Sequence, residues 1–381
     1  MELRASCSCY LHSAQYVYTP MSNEDNDEEL PFKKMREFPQ KTIMAIEKQT
    51  EEQKELVYAS TTETPLPPQE LGIKGRIFAL IRAMRPRQWT KNLALFVGLV
   101  FAQQLFTLSS FERAGLAFAV FCLASSFIYL LNDLLDLEND RQHPVKRNRP
   151  LAAGSLPIAW AMTAMGILIL GCAGLTVLIY TIPIHAQQDI FADLGGSNLL
   201  FTATLMIYLL VMALYSVRLK HVVLLDVFVI ASGFVLRILA GAVVVPVSIS
   251  PWLYLVTILL SLFLALNKRR HELVLLEGRA SDHRQTLKEY SLPMLDQMIT
   301  IVTAATLMSY SLYTFQGPTG NQRLMITIPL VLYGMFRYLY LVYMRMEGGS
   351  PEEVLLRDWH MLGTVVLCIA IIVFVLYIFP K

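Results

Sequence analysis

Charged residues are scarce in this chain of 381 residues. Lys, Arg, Asp and Glu together make up 16% of the sequence, whereas about 25% is usual for soluble globular domains. Hydrophobic residues account for 55%, and the formal net charge is only +2. This scarcity excludes an ordinary soluble domain and gives no sign of a nucleic-acid partner. The composition predicts a polytopic integral membrane protein.

Cysteine is also scarce, and the five cysteines have no spacing typical of a disulfide framework or a zinc site. Three of them lie in apolar runs, and Cys7 and Cys9 lie near the N-terminus. No secretory signal is evident, because the first long apolar run begins only near residue 92. The chain therefore does not have the pattern of a small secreted scaffold.

Residues 1–73 differ in composition from the rest of the chain. They contain an acidic run at 24–29 and the Pro-containing stretch TPLPPQE. A polar segment of this kind cannot bury enough apolar surface to fold alone, so we expect a disordered N-terminal tail. Residues 74–381 are expected to form one transmembrane domain.

Apolar runs recur throughout residues 74–381, each near the roughly 20 residues needed to cross a bilayer core. They predict an all-α fold, a polytopic membrane helix bundle with nine transmembrane helices and cytoplasmic cap loops. The predicted spans are 92–108, 114–137, 157–180, 199–217, 222–245, 251–267, 294–315, 324–344 and 361–379. The first is the least regular, because the polar string RPRQWTKN leads directly into it.

The distribution of Lys and Arg predicts the orientation. Segments on the side of residues 74–91 carry twenty of these residues, and segments on the opposite side carry three. Since cytoplasmic loops are enriched in Lys and Arg, the N-terminal side is expected to be cytoplasmic. With nine spans, the C-terminus would lie on the outer side.

A stripe of polar residues ends the second predicted span. In one continuous helix, six side chains would share roughly 100° of arc: Ser125, Tyr129, Asn132, Asp133, Asp136 and Asp140. Acids at a membrane boundary are costly, and Mg²⁺ with a phosphate-bearing substrate would account for them. Asn132 and Asp136 are our first choice as direct metal ligands, with Asp133 and Asp140 acting next to them or through water. The alternative is a solvated helix end.

Basic residues near this stripe are candidates for phosphate binding. Lys146, Arg147 and Arg149 follow it directly, and Lys91 borders the first predicted span. The segment around Lys91 is equally typical of an interfacial anchor built from Arg, Lys and Trp.

Further candidates come from the later cytoplasmic segments. Tyr215 and Lys220 lie in YSVRLKH, and Lys268 and Arg269 lie in NKRRHE. These basic segments are also typical of loops that bind anionic lipid. Arg237 lies near the middle of a span, where an ionisable residue is a functional-site hypothesis, although a structural ion pair with another helix would explain it too. Asp226 is too far along the same helix to pair with Arg237.

The nine-span plan with N-D-x-x-D-x-x-x-D resembles the UbiA superfamily of intramembrane prenyltransferases. The strings RPRQWTKN, SSFIYLLNDLLDLENDRQHPVKRNRPLAAG, YSVRLKHVVLLDVFVIASGFVLR and NKRRHELVLLEGRASDHRQTLKEYS are similar to its decaprenyl-phosphate phosphoribosyltransferase branch. The resemblance covers about residues 76–380. It departs from the wider superfamily at KRRHE, where aromatic prenyltransferases carry a second Asp-rich motif.

The resemblance implies an Mg²⁺-dependent enzyme of the bacterial plasma membrane, with its active site facing the cytoplasm. Such an enzyme transfers 5-phosphoribose from phosphoribosyl pyrophosphate (PRPP) to a polyprenyl phosphate, for a lipid-linked pentose precursor of the cell wall. Asp133, Asp136 and Asp140 would be its catalytic residues. A prenyltransferase with an aromatic acceptor is the alternative, and a transporter that binds an anion at Arg237 is a third hypothesis. Assembly of identical chains is left open.

Overall fold

All regular structure that the computed structural model describes is helical, which confirms the all-α prediction. The described residues are 72–143, 146–184, 189–247, 250–276, 289–316, 322–345, 348–349 and 351–379. Except for its last two residues, the predicted tail of residues 1–73 lies outside this part of the chain, as do Cys7, Cys9, His185, Glu277, Asp282 and His283.

Twelve α-helices occur in the described part of the chain. They are α1 (Ile73–Met84), α2 (Phe96–Phe101), α3 (Leu108–Leu135), α4 (Leu137–Gln142), α5 (Ile158–Thr181), α6 (Ser197–Val217), α7 (Leu225–Val244), α8 (Pro251–Leu276), α9 (Leu292–Gln316), α10 (Ile328–Met344), α11 (Pro351–Arg357) and α12 (Trp359–Ile378). Five 3₁₀ segments accompany them, at Pro86–Leu95, Lys146–Asn148, Ala192–Leu194, Leu219–His221 and Gln322–Thr327.

Eight helical stretches in the described residues are long and apolar enough to cross a membrane. They are α3, α5, α6, α7, Pro251–Val274 of α8, α9, Gln322–Met344 and α12. In the most apolar stretch of α7, other parts of the protein bury 61% of the residues, whereas the corresponding share in α12 is 11%. Helix α7 is therefore central, and it contributes residues to both large apolar clusters of the core.

The first predicted span, 92–108, is not one of the eight. The 3₁₀ segment Pro86–Leu95 and the six-residue helix α2 occupy its place. Pro86 opens the segment, and Arg85 before it has left-handed backbone angles (φ 55°, ψ 61°), so the chain turns sharply out of α1. The count of nine regular transmembrane helices is thus not confirmed.

This irregular segment packs against α7. A Cβ atom built on Gly241 would lie only 2.0 Å from the carbonyl oxygen of Leu95, and one built on Gly98 would lie 3.2 Å from the Ala242 Cα. Leu95 is fully buried. Backbone that is not α-helical is tolerated at membrane depth only where protein covers it, and the missing side chain of Gly241 permits that cover.

A buried arginine links the first turns of α3 and α6 to the last turns of α5 and α7. Arg113, in the first two turns of α3, is only 1% exposed. Its guanidinium donates to the carbonyls of Ile179 and Ile182 at 2.9 and 2.8 Å, to that of Val244 at 2.7 Å, and to Asn198 at 2.6 Å. A cation at the C-terminal ends of α5 and α7 is favourable, because their last carbonyls lack helical partners.

Candidate functional site

The acidic stripe lies where α3 gives way to α4. Helix α3 ends at Leu135, and Asp136, with φ −93° and ψ 7°, separates it from α4. The predicted single helix is therefore interrupted. The interruption is small, because the Asp136 amide still donates to Asn132 (2.9 Å) and the Asp140 amide to Asp136 (2.8 Å).

The acids of the stripe differ in exposure. Asp133 and Asp140 are each 2% exposed, whereas the Asp136 side chain is 23% exposed and Asn132 is half-buried. A simple solvated helix end would leave its carboxylates in water. The burial of two of the three acids argues against that alternative.

Each of the three carboxylates is paired with a basic side chain from outside its own helix. Asp133 accepts from Arg85 at 2.6 Å and from Arg149 at 3.2 Å, and Asp140 accepts from Arg149 at 2.6 Å. Asp136 accepts from the Lys220 ammonium at 2.5 Å. Arg85, Asp133, Arg149 and Asp140 thus form one connected network, and the Asp136–Lys220 pair lies beside it at the end of α3.

Arg85 was counted in the sequence only among the basic residues of an interfacial segment, yet it is central to this cluster. Its left-handed backbone directs the chain from α1 into the 3₁₀ segment. Its guanidinium lies 5.0 Å from the ring centre of Tyr129, another predicted residue of the site. Such a cation–π contact helps to hold the guanidinium beside Asp133.

Lys146 and Arg147 lie on the short 3₁₀ helix between Asp140 and Arg149. Both are half-buried, in the turn that immediately follows the acids. Their place in the chain is as predicted, and their binding of phosphate stays a prediction.

A preformed metal cage is not found in the described residues, where no three His, Cys, Asp or Glu groups converge in an arrangement that could hold a metal ion. One carboxylate oxygen is nevertheless left over. Oδ2 of Asp133 is buried and accepts no hydrogen bond from a described residue. A buried carboxylate oxygen without a donor is costly, and a hard cation would satisfy it. The donor set therefore fits Mg²⁺.

A second charged cluster lies around Arg269, which is 1% exposed. Its Nε lies 2.7 Å from Oδ2 of Asp226, it pairs with Glu272, and it donates to the Tyr215 hydroxyl at 3.3 Å. Arg269 and Glu272 belong to KRRHE, the string at which the sequence departs from the resemblance. Asp226 and Glu272 are both ion-paired with Arg269, so their negative charges balance the guanidinium.

The Tyr290 hydroxyl completes this second cluster. It donates to Asp226 at 2.8 Å and accepts from the Leu224 amide at 2.8 Å. Burial and the bond to the Asp226 carboxylate raise the pKa of Tyr290 to about 12, so it stays a neutral donor at physiological pH. Neither Tyr290 nor Glu272 was among the predicted site residues.

Two of the predicted lysines lie near each other. Lys268, on α8, is close enough to Lys91 and Glu272 to interact with their charges. Both lysines are half-buried. Arg269 on α8 contacts Tyr215 on α6, and Lys91 on the 3₁₀ segment is near enough to Lys268 for their charges to interact.

The alternative interpretation of Arg237 was a structural ion pair with another helix, and no such pair is found among the described residues. Among the described residues its partners are neutral: Asn92 Oδ1 at 2.7 Å, the Gly233 carbonyl at 2.8 Å and the Tyr208 hydroxyl at 2.8 Å. As expected, it does not pair with Asp226, which binds Arg269 instead. Asn92 and Tyr208 were missed, although an Asn directly after Lys91 in an apolar run was a usable signal.

The comparisons with known proteins agree on the family. Residues 93–355 match the model of the UbiA prenyltransferase family. The chain is 31% identical over 308 residues to a decaprenyl-phosphate phosphoribosyltransferase of Corynebacterium glutamicum, covering 79% of this chain and 87% of that protein. It is 32% identical to the protein of the same name in Mycolicibacterium smegmatis, covering 75% and 88%.

Solved structures share the fold at low sequence identity. A UbiA homologue from Archaeoglobus fulgidus, bound to GPP and Mg²⁺, has a TM-score of 0.56 and 16% identity, and the match covers 77% of this chain and 98% of that one. A digeranylgeranylglyceryl phosphate synthase has a TM-score of 0.52 and 17% identity, with 78% and 97% covered. At these identities the likeness concerns the fold alone.

Proposed function

The chain belongs to the UbiA prenyltransferase family, and on that premise we propose that it is a polyprenyl-phosphate phosphoribosyltransferase. It transfers 5-phosphoribose from PRPP to a polyprenyl phosphate, of the decaprenyl type, and releases pyrophosphate. The relatives named decaprenyl-phosphate phosphoribosyltransferase support this reaction, since the chain spans most of their length. A lipid-linked pentose for cell-wall synthesis is the product that this reaction supplies.

The observation that carries the proposal is the pairing of each stripe carboxylate with a base. In the structure Asp133, Asp136 and Asp140 neutralise Arg85, Arg149 and Lys220. A polyanionic donor that arrives with divalent metal offers both sets new partners. The bases would bind phosphate oxygens and the carboxylates would bind the cation, so the donor and its metal ion are held at one place.

Mg²⁺ would be held by Asn132, Asp133, Asp136 and Asp140, directly or through water, and when bound it would stabilise the charge on departing pyrophosphate. The protein's own groups do the rest. Lys220, Arg149 and Arg85 bind the pyrophosphate, and Lys146 and Arg147 from the following turn add to that positive surface. These groups also hold the donor in the orientation for attack at C1.

The chemical step needs no strong general base in the protein. The bond from C1 of the ribose to the pyrophosphate oxygen breaks, and a bond from C1 to an oxygen of the lipid phosphate forms. The second pKa of a phosphate monoester is about 6, so the attacking group is largely a dianion at neutral pH. Lys91 and Lys268 supply positive charge toward the acceptor, with Tyr215 as a further hydrogen-bond donor, whereas Arg269 is already neutralised by Asp226 and Glu272.

We also propose a ninth crossing of the membrane, by the irregular segment Pro86–Phe101. One end follows Arg85, which binds Asp133, and beyond the other end the Leu105 amide donates to Tyr377 at the end of α12 (2.9 Å). At about 2.0 Å per 3₁₀ residue and 1.5 Å per α-helical residue, the segment rises about 29 Å, close to the ~30 Å of a bilayer core. Nine crossings, together with the Lys and Arg bias of the sequence, support a cytoplasmic-side position for the acidic cluster.

A prenyltransferase that uses prenyl pyrophosphate is the second candidate, because a structural neighbour is bound to GPP and Mg²⁺. The cluster around Arg269 weighs against it. A second metal site would need free acids at this place, whereas Asp226 and Glu272 are occupied by the guanidinium.

Purified full-length protein should be given labelled PRPP, Mg²⁺ and polyprenyl phosphates of several chain lengths. Formation of a lipid-linked ribose phosphate with release of one pyrophosphate is the expected result. A parallel reaction with geranyl pyrophosphate and an aromatic acceptor tests the second candidate. Product only in the second reaction would overturn the proposed function.

A further inference from the structure

Arg237 is a buried cation whose charge is not balanced by a carboxylate in the described part of the chain. It is 6% exposed, and each of its three hydrogen bonds is to a neutral oxygen. The guanidinium also lies over the rings of Tyr208 (4.9 Å) and Phe234 (5.6 Å). A charge removed from water is expensive, and hydrogen bonds to neutral groups with cation–π contacts offset only part of that cost.

The hydrogen-bonding capacity of this guanidinium is also incomplete. An arginine has five N–H groups, and Arg237 uses three of them on Asn92, Gly233 and Tyr208. The remaining two have no acceptor among the described residues. If Arg237 served only to tether Asn92 to α7, a neutral amide would do so without the cost of a buried charge. The excess charge and the spare donors both indicate an anionic ligand.

We propose that Arg237, together with Asn92 and Tyr208, forms a subsite for a phosphate monoester. This rests on the proposed function, in which both substrates carry such a group. One is the 5-phosphate of the donor, and the other is the phosphate of the lipid acceptor. The subsite binds through the two spare N–H groups of Arg237, and the phosphate supplies the counter-charge that the protein lacks.

The subsite is separate from the place proposed for pyrophosphate. Ser125, whose hydroxyl lies 3.3 Å from that of Tyr208, precedes Asp133 by eight residues on α3. At 1.5 Å per residue, the subsite therefore lies about 12 Å deeper along the helix than the acidic cluster. Ser126 and the aromatic ring of Tyr129 lie between the two on α3, so the intervening helix is not purely apolar.

Binding measurements with the full-length protein in lipid nanodiscs test the subsite directly. The probes are ribose 5-phosphate, farnesyl phosphate, and inorganic pyrophosphate with Mg²⁺, each followed by calorimetry. We expect Arg237→Gln to weaken one of the two monoesters by about tenfold to a hundredfold, since a hydrogen bond to a charged group is lost. Pyrophosphate binding should be unchanged in Arg237→Gln and weakened in Lys220→Gln.

Asn92→Asp is the second variant, for the case that Arg237→Gln does not fold. The new carboxylate still accepts the hydrogen bond from Arg237, so this variant should fold. It also balances the charge of Arg237 from within the protein, so the variant should bind the monoester as weakly as Arg237→Gln does. The probe that loses affinity identifies the source of the phosphate. Wild-type affinity for both monoesters in either folded variant, or no monoester binding by the wild type, would overturn the subsite. Neither result depends on ribose transfer, so a failed transfer assay is distinguishable.

Discussion

The ammonium nitrogen of Lys220 lies 2.5 Å from a carboxylate oxygen of Asp136, although 84 residues separate them in the chain. Lys220 is 8% exposed and lies on the short 3₁₀ helix between α6 and α7. Asp136 lies at the break between α3 and α4. The contact joins two turns that the sequence marked as separate candidates, and it makes them one site.

Asp136→Asn should reduce metal-dependent ribose transfer by about a hundredfold or more, because a charge that stabilises the leaving group through the cation is lost. Its effect on stability should be small, since the side chain is partly exposed and the carboxamide oxygen of asparagine can still accept from Lys220. Transfer rates at saturating donor and a thermal melt measure the two effects. Glu138→Gln is the matched control, because Glu138 is exposed on α4 and pairs only with Arg141 among the described residues. Equal activities of the two variants would show that the motif is misassigned.

Lys220→Gln should raise the KM for PRPP about tenfold to a hundredfold, since a charge-assisted hydrogen bond to the donor is removed. The KM for the lipid phosphate should change much less. Initial rates with each substrate varied in turn separate the two parameters. A change confined to the lipid KM would assign Lys220 to the acceptor instead.

Arg269→Met should destabilise the protein by about 3–5 kcal/mol, because it leaves the buried Asp226 carboxylate without its cation. Asp226→Asn in the same chain should recover part of the loss, since the uncompensated charge disappears. Thermal unfolding in detergent compares the single and double variants. The free-energy losses of Arg269→Met and Asp226→Asn should therefore not add in the double variant. If the two losses did add, the two residues would not be coupled.

Gly241→Ala should displace the irregular segment, because the new Cβ would overlap the backbone oxygen of Leu95. We expect a loss of about 1–3 kcal/mol in stability, as in other overpacked cores. A fall in activity should accompany it, since Lys91 lies on the displaced segment. Gly166→Ala on α5 is the control: no atom lies within 4 Å of its added Cβ, so stability should hold or rise slightly. Equal melting temperatures for both variants would contradict the close packing of the segment on α7.

Asp358 predicts a pH dependence of stability. Its side chain accepts two hydrogen bonds from Arg337 (3.2 and 2.7 Å) and one from the Met361 amide, and the Arg337 bonds hold its pKa below the usual value. A lowered pKa means that the stabilisation is complete above the unfolded value of about 3.9 and is lost as the pH falls through the folded value. Asp358→Asn should flatten the acid limb of a melting-temperature profile below about pH 4. An unchanged acid limb would show that Asp358 is not responsible.

Much of the fold follows from local sequence. Helix α5 begins after Pro157 and is apolar for its whole length, so its place needs no tertiary information. The stretch around Pro86 is different. Its apolar residues predict a span, but they do not tell whether the backbone is α-helical. That depends on contacts with α7, where Gly241 packs against Leu95 and Arg237 donates to Asn92. A local pattern carries no record of that partner.

The site shows the same division. The acidic stripe and the basic residues around it were recognisable because charges are rare in this chain and those of the stripe recur at helical spacing. Their pairing was not recognisable. Arg85 looked like an interfacial anchor, and Arg269 looked like a basic loop residue, yet both are engaged by buried or partly buried carboxylates.

The sequence by itself determined that the protein is helical, that it lies in the membrane, and that its polar chemistry concentrates in a few segments. Periodicity, hydropathy and composition are sufficient for this. Each membrane helix satisfies its backbone hydrogen bonds within its own segment, and its apolar side chains suit the lipid without a specific partner. Only the tertiary structure decided which base binds which acid, and that Arg237 has no carboxylate partner in the described residues. Those relations depend on contacts between helices distant in the chain, and the low dielectric of a buried site makes such contacts decisive.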